Sequence, residues 1–320
     1  MWIYTIRRFN LFVITLLILT LIGFNILRLD DTSTWAQTPF LSGWLTYLGQ
    51  LLNGNLGVNE YGVNMLDEIL RVFPATIELC FFAFFIALII GTPIGTIAGM
   101  RRGKPLDTLI SSIALVGYSM PLFWIALLVL MFFSLQLGVT PVAGRYSLLY
   151  EFDAKTGFAF IDVLASKSPY RAEMLENIIQ HLILPTLVLS IAPMTEVVRL
   201  MRSSVATVIT QNYIKVAHTK GLSKFEIMVK HIIRNALPPI IPKLGVQLSG
   251  LFTAAILTES IFNWPGVGRW LLDAIMNQDF VAIQAGVITV ASFILLANIL
   301  SDLLGAAVNP LVRKEFYALK

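Results

Sequence analysis

Very few side chains in this sequence have the type and spacing that chemistry needs. His181, His218 and His231 stand at no metal-ligand spacing, and there is no H-E-x-x-H pair. Cys80 is the only cysteine, so it cannot form an intrachain disulfide, and inside an apolar run it reads as a small buried residue. The run G-Y-S-M-P at Gly117–Pro121 lacks the second glycine and the strand-turn-helix context of a nucleophile elbow. G-V-G at Gly266–Gly268 lacks the third glycine of a dinucleotide loop, and the G-K-[ST] of a phosphate loop is absent. Catalysis, metal binding and nucleotide binding are therefore not expected, and the chain reads as a non-enzyme with no cofactor of its own.

Two places remain. The first is Gln211–Pro239, QNYIKVAHTKGLSKFEIMVKHIIRNALPP, a basic polar stretch flanked on both sides by membrane-length apolar runs. Its spacing predicts a short helix over Asn212–Lys220 that stops at Gly221, where glycine takes the left-handed cap conformation without a Cβ penalty. A second helix starts almost at once. Ser223 and Glu226 form the S-x-x-E capping box, Leu222 and Ile227 take the places of a hydrophobic staple, and Pro238 with Pro239 ends the helix. Phe225, Met228, Val229, Ile232 and Ala236 recur at helical spacing, with Lys224, Lys230, His231, Arg234 and Asn235 opposite. Such a helix lies along a surface, either anionic headgroups or a docked protein. Ala217 and Gly221, four apart, would let another backbone come close and favour docking.

The second place is Glu259, an ionisable residue near the end of an apolar run, followed by the turn-forming N-W-P-G-V-G-R-W. Such a carboxylate needs a partner or water. It either lines a pathway, or caps the turn, or pairs with Arg269. Asn263, Pro265, Gly266 and Gly268 are the accompanying gate candidates, together with Ser119 and Pro121 at a kink expected near Tyr118.

These residues must be held by membrane helices. Hydrophobic residues make up 57% of the chain and charged residues 13%, which is membrane-class composition. Six apolar runs reach the length that a hydrocarbon layer about 30 Å thick requires, near 9–29, 76–99, 109–135, 178–200, 243–262 and 283–305. The expected fold is all-α and polytopic. The first run follows Arg7 and Arg8 but is too long for a signal peptide and has no small-residue cleavage pattern, so it reads as a retained anchor. With the N-terminus inside, the basic residues outside are Arg28, Arg71, Arg145, Lys155, Lys167, Arg171 and Arg269, a minority of the 23. The positive-inside rule selects that orientation, with both termini cytoplasmic. The net charge of +4 then lies beside anionic lipid and requires no nucleic acid.

Two outside segments follow from this arrangement, Asp30 to Arg71 and Gly138 to Asn177, the second large enough to fold over the outer mouth. Gly91, Gly95 and Gly99 form a G-x-x-x-G ridge for close helix packing, within the chain or against another subunit. The expected division is an anchor helix with the first outside segment over 1–75, a transmembrane domain over 76–310, and a cytoplasmic tail over 311–320. There is no visible inverted repeat of the kind many secondary transporters carry. An ion-coupled secondary transporter remains the alternative from another class.

The stretch YIKVAHTKGLSKFEIMVKHIIRNALPP resembles the cytoplasmic EAA loop of ABC-transporter permeases of the dipeptide and oligopeptide class. Other blocks resemble the same family in the same order: FPATIELC, SMPLFWIALLVLMFFSLQLGVTPVAGR, LTESIFNWPGVGRWLLDAIMNQDFVAIQAGVI and NILSDLLGAAVNP. Within the family the chain looks most like the B-type permeases of Sap peptide systems, on TGFAFIDV, PMTEVVRLMR and KEFYALK. It departs at Lys215 and Val216, where the loop's name has Glu and Ala, and at LRLDDTSTW, where many peptide permeases carry Pro-Gly-Asp-Pro.

The resemblance implies a type I ABC importer permease fold in the bacterial inner membrane. It implies pairing with a second homologous permease, two ATPase subunits that bind the ATP and Mg, and a periplasmic solute-binding protein. It places Tyr213, Ala217, Gly221, Leu222, His231, Asn235 and Pro238 in the ATPase-coupling loop. The implied cargo is peptides, antimicrobial peptides included, with export of a polyamine such as putrescine as the alternative.

Overall fold

Helices form wherever the apolar runs predicted them, but one of those runs is not a continuous helix. The computed structural model describes residues 2–150 and 152–308. In chain order these carry α1 (Trp2–Leu27), α2 (Thr34–Gln37), α3 (Phe40–Leu52), α4 (Met65–Met100), α5 (Pro105–Ser119), α6 (Leu122–Val129) continued by a π-helical segment (Leu130–Gln136), α7 (Ala159–Ala165) and α8 (Arg171–Val208). Then follow α9 (Asn212–Thr219), α10 (Lys224–Glu226), a second π segment (Ile227–Ile233), α11 (Arg234–Ala236), α12 (Ile241–Ile261), α13 (Val267–Met276) and α14 (Phe280–Val308). Among the described residues no strand forms beyond the isolated bridge between Val58 and Asn64. The tail expected over 311–320 lies outside the described residues.

Among the described residues, five helices are long and apolar enough to span a membrane: Phe9–Leu27, Met65–Met100, Arg171–Val208, Lys243–Ile261 and Phe280–Ser301. The third run, expected as one kinked span over 109–135, differs. It is broken between Ser119 and Leu122 with the two arms bent by 98°. Pro121 is the cause: its ring excludes the helical region for the preceding residue, and Met120 is extended at φ −80° and ψ 135°. Counted as one broken span, the pair brings the total to six.

The chain divides into two compact units. The first comprises the chain up to Leu79, Ala126–Pro185 and Phe252–Leu296. Here Phe24, Leu27 and Tyr47 form a buried hydrophobic cluster between α1 and α3. The Tyr47 hydroxyl donates to Gln284 Oε1 at 2.5 Å, and Gln284 Nε2 donates to the Leu56 carbonyl at 2.6 Å. The segment expected outside, Asp30 to Arg71, is thereby tied to α14.

The second unit comprises Cys80–Ile125, Thr186–Leu251 and the chain from Ala297. The glycine ridge of α4 packs within this unit against α8. A β-carbon on Gly95 would lie 2.6 Å from Met201 Cβ and 2.7 Å from the Val198 carbonyl oxygen, and one on Gly99 would lie 2.7 Å from the Arg202 carbonyl oxygen. Of the two packing partners left open by the sequence, the chain itself is the one in contact. Arg202 of α8 also donates through Nε and Nη2 to the Asp107 carboxylate at 2.5 and 2.8 Å, which ties α8 to the first turn of α5.

Candidate functional site

The basic stretch forms a rigid double helical element built onto the end of α8. α9 ends at Thr219 and Gly221 has φ +77°. The Gly221 amide donates to the His218 carbonyl and the Leu222 amide to the Ala217 carbonyl, at 3.0 and 3.3 Å. This is a complete Schellman cap. Ser223 and Glu226 then make both bonds of the capping box. Glu226 also accepts from Lys230 Nζ at 3.1 Å, and that bond, followed by those from Ser223, holds its carboxyl below the ordinary value of 4.5. Asn235 Nδ2 donates to the His231 carbonyl at 2.6 Å, and Ser204 of α8 donates to the Ala236 carbonyl at 2.7 Å. Pro238 follows in the turn that leads to α12.

The inner face of this element is rotated from the one the spacing predicts. Ile227, Ile232, Ala236 and Ile240 are buried with Met201, Val205 and Val208 of α8. Phe225 and Val229, expected on the apolar face, are 69% and 44% exposed. Residues Ile227–Ile233 are π-helical, and the wider turn brings residues five apart, Ile227 and Ile232, to the same side. Ala217 differs from expectation too, because it is buried in the same cluster and offers no surface to a partner. Gly221 does offer one: a β-carbon there would meet nothing within 4 Å. Tyr213 and Val216 are exposed beside it in sequence.

The turn after α12 engages Glu259 directly. This carboxylate is fully buried. Its Oε1 accepts from the Thr76 hydroxyl at 2.6 Å and its Oε2 from the Arg269 amide at 3.0 Å, with the Gly268 amide as a further donor. The Val267 amide donates to Thr76 Oγ1 at 2.8 Å. The first three amides of α13, which a helix leaves without internal partners, are thus satisfied by Thr76 and Glu259 together. A carboxylate also complements the positive end of the helix dipole. The bonds that Glu259 makes are those of a cap for the turn, and Arg269 meets it through its amide.

The gate candidates divide accordingly. Gly266 and Gly268 are buried against the carboxylate; a β-carbon on Gly266 would lie 2.3 Å from Glu259 Cδ, and one on Gly268 2.7 Å from Ile256 Cα. Asn263 supplies the bend with φ +53°, and it is exposed, as is Pro265. Trp264 is fully buried and its Nε1 donates to the Ala75 carbonyl at 3.0 Å. Ser119 and Pro121 lie at the break in the other arm, Ser119 bonding back to the Leu115 carbonyl at 2.8 Å. Sequence reasoning passed over Thr76, Glu78 and Arg145, although a carboxylate inside FPATIELC was a signal of the same kind as Glu259.

The chain belongs to the family of binding-protein-dependent transport system inner membrane components, whose model matches residues 91–314. It is 48% identical, over the whole of both chains, to the peptide transport system permease protein SapB of Salmonella typhimurium strain LT2. The same identity and coverage hold for the putrescine export system permease protein SapB of Escherichia coli K12. The dipeptide transport system permease protein DppB of the latter strain is 37% identical, covering 87% of this chain and 82% of that one. In structure, the chain is similar to an inward-facing MetNI methionine ABC transporter, with a TM-score of 0.57 at 15% identity over 77% of this chain and 98% of that one. The fold is that of type I importer permeases.

Proposed function

We propose that this chain is the transmembrane permease subunit of an ATP-driven peptide transporter of the bacterial inner membrane, and that Gln211–Pro239 receives an ATPase subunit. The observation that carries the reading is the build of that loop. It is capped at both helix ends and cored against α8, yet it leaves Tyr213, Val216, Phe225 and Val229 exposed and open space at Gly221. A loop that merely connects two spans does not require such rigidity, whereas one that transmits force from a partner does. ATP and Mg are held by the partner subunits, a second homologous permease completes the pathway, a periplasmic protein delivers the solute, and both termini are cytoplasmic.

The test is to purify the tagged chain from its native membrane and identify what accompanies it. A homologous permease and ATP-hydrolysing subunits are expected, and a chain that transports alone down an ion gradient would overturn the reading. Gly221 sharpens it. As a helix cap, Gly221→Asn is tolerated because Asn accepts the left-handed conformation. As a docking point, Gly221→Asn weakens ATPase retention, and Gly221→Arg abolishes it while thermal stability of the permease is kept. The name carried by the Escherichia coli relative favours a second cargo, putrescine leaving the cell. Uptake of labelled putrescine into inside-out vesicles on addition of ATP, with no uptake of peptide, would select it.

A further inference from the structure

The second outside loop is held by a polar clamp that none of the steps above uses. Its tip does not hold it, because Leu148 and Leu149 are 93% and 90% exposed. Glu78 of α4 serves two points of attachment, beside a separate bond from the Ser147 amide to Asn177 Oδ1 of α8 at 2.8 Å. At the first, the Gly144 amide donates to the Phe262 carbonyl at 2.9 Å. Arg145 donates through Nε and Nη2 to Glu78 Oε2 at 2.9 and 2.5 Å, and through Nη2 to the Gly157 carbonyl at 2.9 Å. At the second, the Phe160 amide donates to Glu78 Oε1 at 2.8 Å. The pair is buried, with side-chain exposures of 9% for Arg145 and 3% for Glu78.

Stability is a poor reason to keep such a pair, because well-packed apolar residues are often as good or better at a buried site. What a forked pair with every acceptor used does supply is one fixed geometry. The loop cannot leave Glu78 at one attachment point without disturbing the other. One turn of α4 carries the outer turn as well: the Ala75 carbonyl takes Trp264 Nε1, Thr76 takes the Val267 amide, and the Arg145 guanidinium lies 6.0 Å from the Trp264 ring centre.

We infer that Glu78 and Arg145 are positioning residues of the outer gate, tying the loop from Gly144 to Phe160 and the turn from Phe262 to Gly268 to one turn of α4 so that the three move as one body. The inference rests on the transport reading above. It is tested in the assembled complex with its ATPases, using the neutral pair Glu78→Gln with Arg145→Gln, the milder Arg145→Lys, and the exchanged pair Glu78→Arg with Arg145→Glu. Hydrogen exchange of segments 144–160 and 262–270 is read beside ATP hydrolysed per solute moved. In the wild type the two segments exchange in concert. In the neutral pair, segment 144–160 exchanges about tenfold faster, segment 262–270 is unchanged, and more ATP is consumed per solute at unchanged ATPase retention. Arg145→Lys falls between, and the exchanged pair does not restore the coupling, because a guanidinium at position 78 offers the Phe160 amide no acceptor.

Wild-type exchange and coupling in the neutral pair would overturn the inference. So would loosening of both segments together with loss of the ATPases, which marks a purely structural pair. Should the wild-type chain retain no ATPase, the transport reading fails while the exchange arm still decides whether the clamp joins the two segments.

Discussion

Glu259 shows what a single buried carboxylate can do at the end of a membrane helix. It has exchanged water for the amides of α13 and the Thr76 hydroxyl. Glu259→Gln keeps one acceptor but turns an NH2 toward an amide donor, so a destabilisation of about 1–3 kcal/mol is expected. It is read as a lowered Tm of the purified permease, and an unchanged Tm would refute the capping role. The need for partners was legible in the sequence because an ionisable residue in an apolar run cannot stand alone. The partners were not, since Thr76 lies 183 positions away and nothing local marks it. Glu226 gives a pH-dependent counterpart on the Gln211–Pro239 loop. Its carboxyl is held below the ordinary 4.5 by Lys230 first and Ser223 next. A group with a depressed folded value contributes stability above the unfolded value and loses it as pH falls through the folded one. Protection of segment 224–236, corrected for intrinsic exchange, should therefore be constant from neutral pH to about 5 and fall below 4.5, and Glu226→Gln should remove that fall.

Among the helices, the glycine ridge and the π segment were legible to different degrees. A repeat of small residues four apart announces close packing, and only the partner was open; α8 of the same chain fills that place. The π winding at Ile227–Ile233 was not legible, because a pattern read at 3.6 residues per turn assigns Phe225 and Val229 to the inside and the wider turn assigns Ile227 and Ile232. The break at Met120 was half legible: Pro121 was visible, but the sequence does not say whether a proline kinks a helix or ends it. The ridge yields a matched pair of substitutions. Gly95→Ala places a β-carbon 2.6 Å from Met201 Cβ and should destabilise by about 1–3 kcal/mol. Gly250→Ala in α12 meets nothing within 4 Å and should be neutral or stabilise by up to about 1 kcal/mol through helix propensity. Equal Tm shifts for the two would sink the account of the ridge.

For the whole molecule the open question is which side of the membrane each loop faces, and the broken pair α5–α6 decides it. With the N-terminus inside, α1 and α4 leave Arg101, Arg102 and Lys104 on the inside. If the broken pair crosses, segment 138–177 is outside, α8 returns the chain, and Gln211–Pro239 is inside. If the pair instead dips in and returns on the same side, both assignments reverse and the coupling loop faces away from any cytoplasmic ATPase. The positive-inside rule favours the crossing, since Lys215, Lys220, Lys224, Lys230 and Arg234 all lie in that loop. Lys155 and Lys224 are both exposed, so a cysteine at either position reports sidedness and not burial. In a Cys80→Ala background, Cys80 being itself buried, Lys155→Cys should react with an impermeant maleimide in intact cells and Lys224→Cys only after the inner membrane is opened. The opposite pattern would mean that α5 and α6 form a re-entrant hairpin or that the whole chain is inverted, and in either case the proposed docking of an ATPase on Gln211–Pro239 would fall.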